Sequence, residues 1–311
     1  MKRTIKDFIF EKSLLFLALL TLAGLAGIVW FLFKEGMPVL ETISLKHFLT
    51  GHDWYPTEDP PSFGIFPLII GSVSVTLLAA VMATPLGILC AVYLSEIASS
   101  RLRSIFKPFI ELLAAMPSVV IGFVGMTVLA PFLQDYFGAP TGLNVLNAAI
   151  LLALMAVPTI CTISEDALRS VPRSLKESSL ALGATHWETL TTVTVPAAFS
   201  GIATGVMLGL SRVIGETMVV LMVAGGAALI PESLFDPVRP MPASIVAEMA
   251  ESPFGSSHYH ALFAIGIVLF FFTFLCNLAA FLVSQKYKLK VSNYHRNFNE
   301  SIHNLTRSKN I

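Results

Sequence analysis

Six stretches of nearly unbroken apolar residues divide the chain: Leu14 to Phe33, Ile65 to Leu94, Phe109 to Leu133, Asn144 to Ser164, Ala197 to Ala224 and Ala261 to Ser284. Each matches or exceeds the roughly 20 residues with which a helix crosses the hydrocarbon core of a bilayer. The second and fifth are long, so they must tilt or project. An open strand edge would leave backbone groups unsatisfied in lipid, so the runs are expected to be helical. The fold expected is an all-α polytopic membrane protein with six transmembrane helices. Pro67, Pro85, Pro117, Pro131 and Pro158 fall within or near the runs. They mark hinges or a lined cavity, or reflect only the higher frequency of proline in membrane helices.

The polar connections divide by charge. Lys2, Arg3, Lys6 and Lys12, then Arg101, Arg103 and Lys107, then Arg169, Arg173 and Lys176, and finally Lys286, Lys288, Lys290, Arg296, Arg307 and Lys309 alternate with connections that hold only Lys34, Lys46 and Arg239. The basic side is predicted to be cytoplasmic, which places both termini there. The boundaries that follow are 1–34 for the N-terminal segment with the first span and 35–63 for an outer loop. A five-helix core at 64–285 contains a cytoplasmic loop at 165–196, and a basic tail occupies 286–311. The outer loops carry Trp54, Tyr55, Pro60 and Pro61, and a short helix is predicted around Ala243 to Ala250. These loops seat a partner or simply cap the bundle.

One polar connection has internal design. In Pro172 to Pro196, Ser174 with Glu177 and Thr185 with Glu188 each have the spacing of a capping box. Gly183 between them suits the left-handed residue that ends a helix. The pattern predicts a short helix, a glycine turn and a second short helix. Neither piece is stable alone in water, and Leu175, Leu182, Trp187, Leu190 and Val193 provide apolar surface for a partner. The segment is therefore expected to dock another subunit.

Composition narrows the class. With 55% hydrophobic and 13% charged residues and a mean hydropathy of +0.75, the chain is outside the range of soluble domains. Its three cysteines, Cys90, Cys161 and Cys276, lie in apolar runs with no metal-ligand spacing. The basic start precedes a run about as long as a bilayer crossing, longer than the core of a signal peptide, and is expected to be retained. There is no GxxxxGK[ST] phosphate loop, no HExxH and no CxxC. If ATP drives this chain, ATP and Mg are held by another subunit, and the chain itself is neither an enzyme nor a nucleic-acid binder.

Chemistry is concentrated in the fifth run, where SRVIGET holds Arg212 and Glu216. A charge at the centre of a membrane helix costs about 2.5–3.5 kcal/mol on the insertion scale. A helical period places Gly201, Gly205, Gly209, Arg212 and Glu216 on one stripe. The GxxxGxxxG spacing admits a second helix at close range, and the two charges are expected to pair and face a partner subunit or a central path. A guanidinium fork suits an oxyanion, which makes the cargo an anion. The alternative is a purely structural ion pair.

Glu177, Ser178, Ser179, Gly183, Val193, Val195 and Pro196 resemble the EAA loop of ABC importer permeases at every spacing, with the two serines in place of alanines. The strings PPSFGIFPLIIGS, AVYLSEIAS, IELLAAMPSVVIGF and SRVIGETM extend the resemblance, from about Phe10 to Ser284, to PstC-type permeases of phosphate ABC importers. SRVIGET-like strings also occur in the sister PstA type. The resemblance implies the MetI-like fold and a heterodimer with a PstA-like permease. It also implies two PstB-like ATPases on the cytoplasmic side, the EAA loop fitting a cleft on the ATPase, and a PstS-like protein delivering phosphate outside. Two other readings remain: an ion-coupled secondary anion transporter, which has no need of a docking hairpin, and a membrane scaffold without transport. A permease for another oxyanion is a variant of the first.

Overall fold

The structure is a computed structural model that describes residues 5–308, with side chains described at 7–282 and at 285. Lys2, Arg3, Lys6 and the basic residues of the 286–311 tail lie outside the described side chains. The described chain is mostly helical, and six helices are long and apolar enough to cross a membrane. It divides into two compact units, residues 1–66 with 244–270, and residues 67–243 with 271–311.

In the first unit, α1 (Ile5–Gly36) is followed by two short helices, α2 (Val39–Thr42) and α3 (Leu45–Thr50). The Ser44 side chain starts α3 by accepting from the His47 amide at 3.3 Å. A two-residue hairpin follows, β1 (Trp54–Tyr55) antiparallel to β2 (Ser62–Phe63), with Trp54 opposite Phe63. Trp54 is buried and its indole N–H donates to the Glu248 carboxylate at 3.1 Å; His258 Nε2 lies 2.8 Å from the same group. His260 Nδ1 stands 2.7 Å from the Glu35 carbonyl, which ties the end of α1 to the start of the last long helix.

The second unit holds most of the long helices. α4 (Phe66–Val92) passes through Pro85 and ends in a π-helical turn, Tyr93–Ile97. α5 (Ser100–Ala115) starts at Ser99, whose hydroxyl accepts from Leu102 N–H. Its Leu102, Ile105, Phe106, Phe109 and Leu112 are exposed while Arg103 and Lys107 turn inward, the pattern of a helix lying in a membrane surface. The third crossing therefore begins later than the apolar run. Met116 is extended (ψ 134°) before Pro117, because a proline ring clashes with a helical residue preceding it. The crossing proper is α6 (Ser118–Val124), a π turn at Gly125–Leu129 and α7 (Ala130–Phe137).

α8 (Val145–Arg169) is the most enclosed of the crossings and forms the centre of the core. Asn144 caps it, accepting from the Asn147 amide at 2.9 Å, and the buried Asn147 amide group donates to the Gly125 and Gly142 carbonyls. After α9 (Arg173–Ala181) and α10 (His186–Thr189), a π turn at Leu190–Thr194 runs directly into α11 (Val195–Ile214). The fifth apolar run is not one helix. α11 stops at Gly215, and α12 (Met218–Val223) resumes behind it. Next comes α13 (Met241–Met249), close to the helix predicted at Ala243 to Ala250, and then α14 (Ser257–Ser308).

Candidate functional site

The segment from Pro172 to Pro196 keeps its glycine turn but differs at both ends from the expected paired short helices. Pro172 is extended (ψ 132°) and α9 starts at Arg173, so Ser174 already lies inside the helix and cannot cap it. The first capping box is not formed. α9 ends with Gly183 at φ +89°, where the Gly183 amide donates to the Leu180 carbonyl at 3.0 Å and the Ala184 amide to the Ser179 carbonyl at 3.3 Å. This is the paired closure of a Schellman turn. The second box is complete: Thr185 Oγ1 accepts from the Glu188 amide at 3.2 Å, and Glu188 Oε2 accepts from the Thr185 amide at 2.8 Å. What it caps is the first turn of the fifth crossing rather than an independent helix.

Of the five apolar residues in the segment, three lean on the chain itself. Leu190 is buried, Leu175 packs on a cluster containing Leu94, Leu168 and Ile202, and Val193 is half-buried. Leu182 and Trp187 are left 90% and 66% exposed on either side of Gly183. Glu177 and Ser178 are exposed on α9, and Pro196 is exposed near the start of α11. Ser179 is half-buried, its hydroxyl 2.9 Å from that of Thr189.

Beside this hairpin lies a charge cluster that the sequence reading missed. Glu165, near the end of α8, has a side chain only 1% exposed; Lys107 Nζ stands 3.0 Å from it, Arg169 Nη1 3.4 Å and Arg103 Nε 3.7 Å. A buried carboxylate is tolerated only when so compensated. Burial alone would lower the pKa of Lys107. The hydrogen bond and charge of Glu165, with Asp166 adding to them, outweigh that and leave it raised, so the ammonium form is held. Two spacings pointed to the cluster: Glu165 and Arg169 are four apart on one helix, and so are Arg103 and Lys107.

Gly201, Gly205 and Gly209 do share one stripe, and it faces α8 of the same chain, not a partner subunit or an open path. A Cβ at Gly201 would come 2.4 Å from Ala167 Cβ, one at Gly209 2.5 Å from Ile160 Cγ1, and one at Gly205 3.0 Å from Ser164 Oγ. The charges leave this stripe. Because α11 ends at Ile214, Glu216 is carried off the helical path. Its Oε1 accepts from the Met218 and Val219 amides at 3.1 and 3.3 Å, at the start of α12. Arg212 is exposed, and among the described residues its one hydrogen bond goes from Nη2 to the Ala114 carbonyl at 3.3 Å. The expected Arg212–Glu216 ion pair is absent among the described residues. The most open feature of the site is thus a guanidinium with most of its donors unengaged.

Comparisons with known proteins agree with this architecture. The family model described as "Binding-protein-dependent transport system inner membrane component" matches residues 83–289. A probable ABC transporter permease protein, YqgH, of Bacillus subtilis is 42% identical, covering 83% of this chain and 84% of that protein. The phosphate transport system permease protein PstC of Mesorhizobium japonicum is 37% identical, covering 86% and 87%, and that of Pasteurella multocida is 32% identical, covering 86% and 88%. Among solved structures, the MetNI methionine ABC transporter in an inward-facing conformation aligns at a TM-score of 0.56 and 19% identity, over 70% of this chain and 93% of that one. A bacterial alginate ABC transporter aligns at a TM-score of 0.59 and 17% identity, over 91% and 98%. These two likenesses concern the fold, which is the MetI-like one.

Proposed function

Because the chain belongs to the binding-protein-dependent transport system inner membrane components, we propose that it is the PstC-like permease subunit of an ATP-driven phosphate importer. It forms half of a translocation path with a PstA-like permease. Two PstB-like ATPases bind ATP and Mg on the cytoplasmic side, and one of them docks on the hairpin of α9, Gly183 and the first turn of the fifth crossing. A PstS-like protein delivers phosphate from outside. In this reading the chain sits in the inner membrane of a bacterium with both termini and the 165–196 loop cytoplasmic, an orientation that the distribution of Lys and Arg supports.

The structural observation that supports an anionic cargo is Arg212. An exposed, largely unengaged guanidinium in a crossing helix is too costly to face lipid, and five donors in a planar fork match a tetrahedral oxyanion. Glu216, fixed on the α12 amides, holds the backbone break that follows Arg212. Leu182 and Trp187 supply the exposed apolar contact for the ATPase, with Glu177, Ser178 and Ser179 on the adjoining helix.

The test is reconstitution of the chain with the PstA-, PstB- and PstS-like proteins of its own source in lipid vesicles. Radiolabelled phosphate should accumulate with ATP and Mg and not without them. Excess sulfate should leave uptake intact. ATP-dependent uptake that sulfate or another oxyanion suppresses reassigns the cargo. Uptake driven by an ion gradient without ATP overturns the importer reading in favour of a secondary transporter.

A further inference from the structure

α9 is joined to three of the long helices, and two of the joints are made by the chain itself. Val171 and Pro172 connect it to α8, with Leu175 packed on the cluster that includes Leu168 and Val171. The glycine turn and the Ser179–Thr189 hydroxyl pair connect it to the base of the fifth crossing. The third joint links residues far apart in sequence. Lys176 Nζ lies 2.6 Å from Glu96 Oε1, with the two side chains 23% and 22% exposed. Glu96 stands on the π turn Tyr93–Ile97 that ends the second crossing.

That π turn is also gripped from the other side. Arg103 donates from Nε to the Leu94 carbonyl at 2.7 Å and from Nη2 to the Ser95 carbonyl at 2.9 Å. Its guanidinium then meets buried Glu165 of α8. Single-turn π segments are rare inside α-helices and frequent at functional sites. Here the π turn lies between two charged holds, one from α9 and one from α5 and α8. The glycine seam binds α8 to α11 closely, so α9 and those two helices already form one body. The second crossing is not joined to that body by chain: it packs on α8 through Gly87 against Ile160, its Leu94 shares a cluster with Leu168 and Leu175, and its π-helical end meets α9 through Lys176.

We propose that Lys176 and Glu96 form a strut that fixes the π-helical end of the second crossing to α9, so that the docking hairpin bears directly on that end as well as on the two helices it is joined to by chain. This rests on the coupling reading above. The two residues are positioning residues: they touch neither cargo nor nucleotide. Being partly exposed, the pair contributes modestly to folding, so its loss should uncouple the transporter without unfolding it.

The experiment uses the full reconstituted complex carrying Lys176→Glu, Glu96→Lys, or both. Three quantities are read: recovery of the assembled complex, ATP hydrolysis, and phosphate moved per ATP hydrolysed. Each single reversal sets like charges in contact, and phosphate per ATP should fall about fivefold to tenfold while assembly and hydrolysis persist. The exchanged pair should bring the ratio back to within about twofold of wild type, since charges at this distance interact as a pair. Single reversals with a wild-type ratio overturn the strut, as does an exchanged pair that assembles and stays uncoupled. If a reversal prevents assembly, the neutral Lys176→Gln carries the test, and an unchanged ratio there overturns the strut. A wild-type complex without ATP-dependent uptake defeats the coupling reading itself; a transporting wild type beside unaffected variants defeats the strut alone.

Discussion

Arg212 and Glu216 are four residues apart, yet the structure gives them different surroundings and therefore different expected phenotypes. Arg212→Gln keeps hydrogen-bonding capacity but removes the charge and the fork. Uptake should fall about tenfold to hundredfold, the worth of one or more charge-assisted hydrogen bonds, with the complex still assembled. Undiminished uptake would remove Arg212 from the path. Glu216→Ala removes the acceptor for the Met218 and Val219 amides. It should lower stability by about 0.5–2 kcal/mol, as loss of a helix cap does. Glu216→Gln, which keeps an acceptor, should unfold at the wild-type temperature in detergent. Lys107 gives a pH signature. Its folded pKa is raised, so its bridge to Glu165 is fully present below the unfolded value of about 10.4 and is lost as the pH climbs through the folded value. The gap in thermal midpoint between wild type and Lys107→Met should hold constant from about pH 6 to about pH 9 and close above about pH 10.5.

At the scale of elements, the hairpin depends on one backbone conformation. Nothing lies within 4 Å of a Cβ built on Gly183, so a side chain there meets no obstruction, and the cost of substitution lies in the φ of +89° alone. Gly183→Val should cost about 1–3 kcal/mol and reorient α9 against the fifth crossing. Asparagine, which tolerates left-handed backbone, should be accepted. Co-purification of the ATPase should drop for Val and persist for Asn; equal recovery would show that the turn does not position the docking surface. The number of crossings was legible because lipid demands long uninterrupted apolar runs. Their ends were less so, since hydropathy cannot see that Pro117 separates a surface helix from a crossing, or that Gly215 breaks the fifth run. Of two like capping signatures, Thr185 caps and Ser174 does not, because only the former follows a turn while Pro172 starts the helix two residues too early. The stripe of glycines was readable from period alone, but period gives a direction on one helix and not the identity of its neighbour, here α8. Glu165 escaped notice because a charge close to the polar end of a run looks solvated until three cations are seen to surround it.

On the scale of the whole molecule, the uneven distribution of Lys and Arg predicts an orientation that can be measured. In a cysteine-free background, a cysteine at exposed Thr57 should react with an impermeant thiol reagent added outside intact cells whose outer layers have been made permeable, and one at exposed Ser104 should not. The opposite pattern would put the hairpin on the wrong side for an ATPase. Within the first unit, residues of the 35–63 stretch and of 244–270 meet through Trp54, Glu248 and His258.

The close seam between α8 and α11 has a genetic consequence. Every single-base missense change in a glycine codon adds a side chain, and at Gly201 and Gly209 even the smallest of them would overlap Ala167 or Ile160. A leucine codon on an exposed face such as that of Leu77 or Leu89 has many apolar neighbours one base away. Under random mutagenesis with selection for uptake, survivors should therefore accumulate on the exposed faces and be missing from this line of glycines. Bases there are held in place by the thickness of a methyl group.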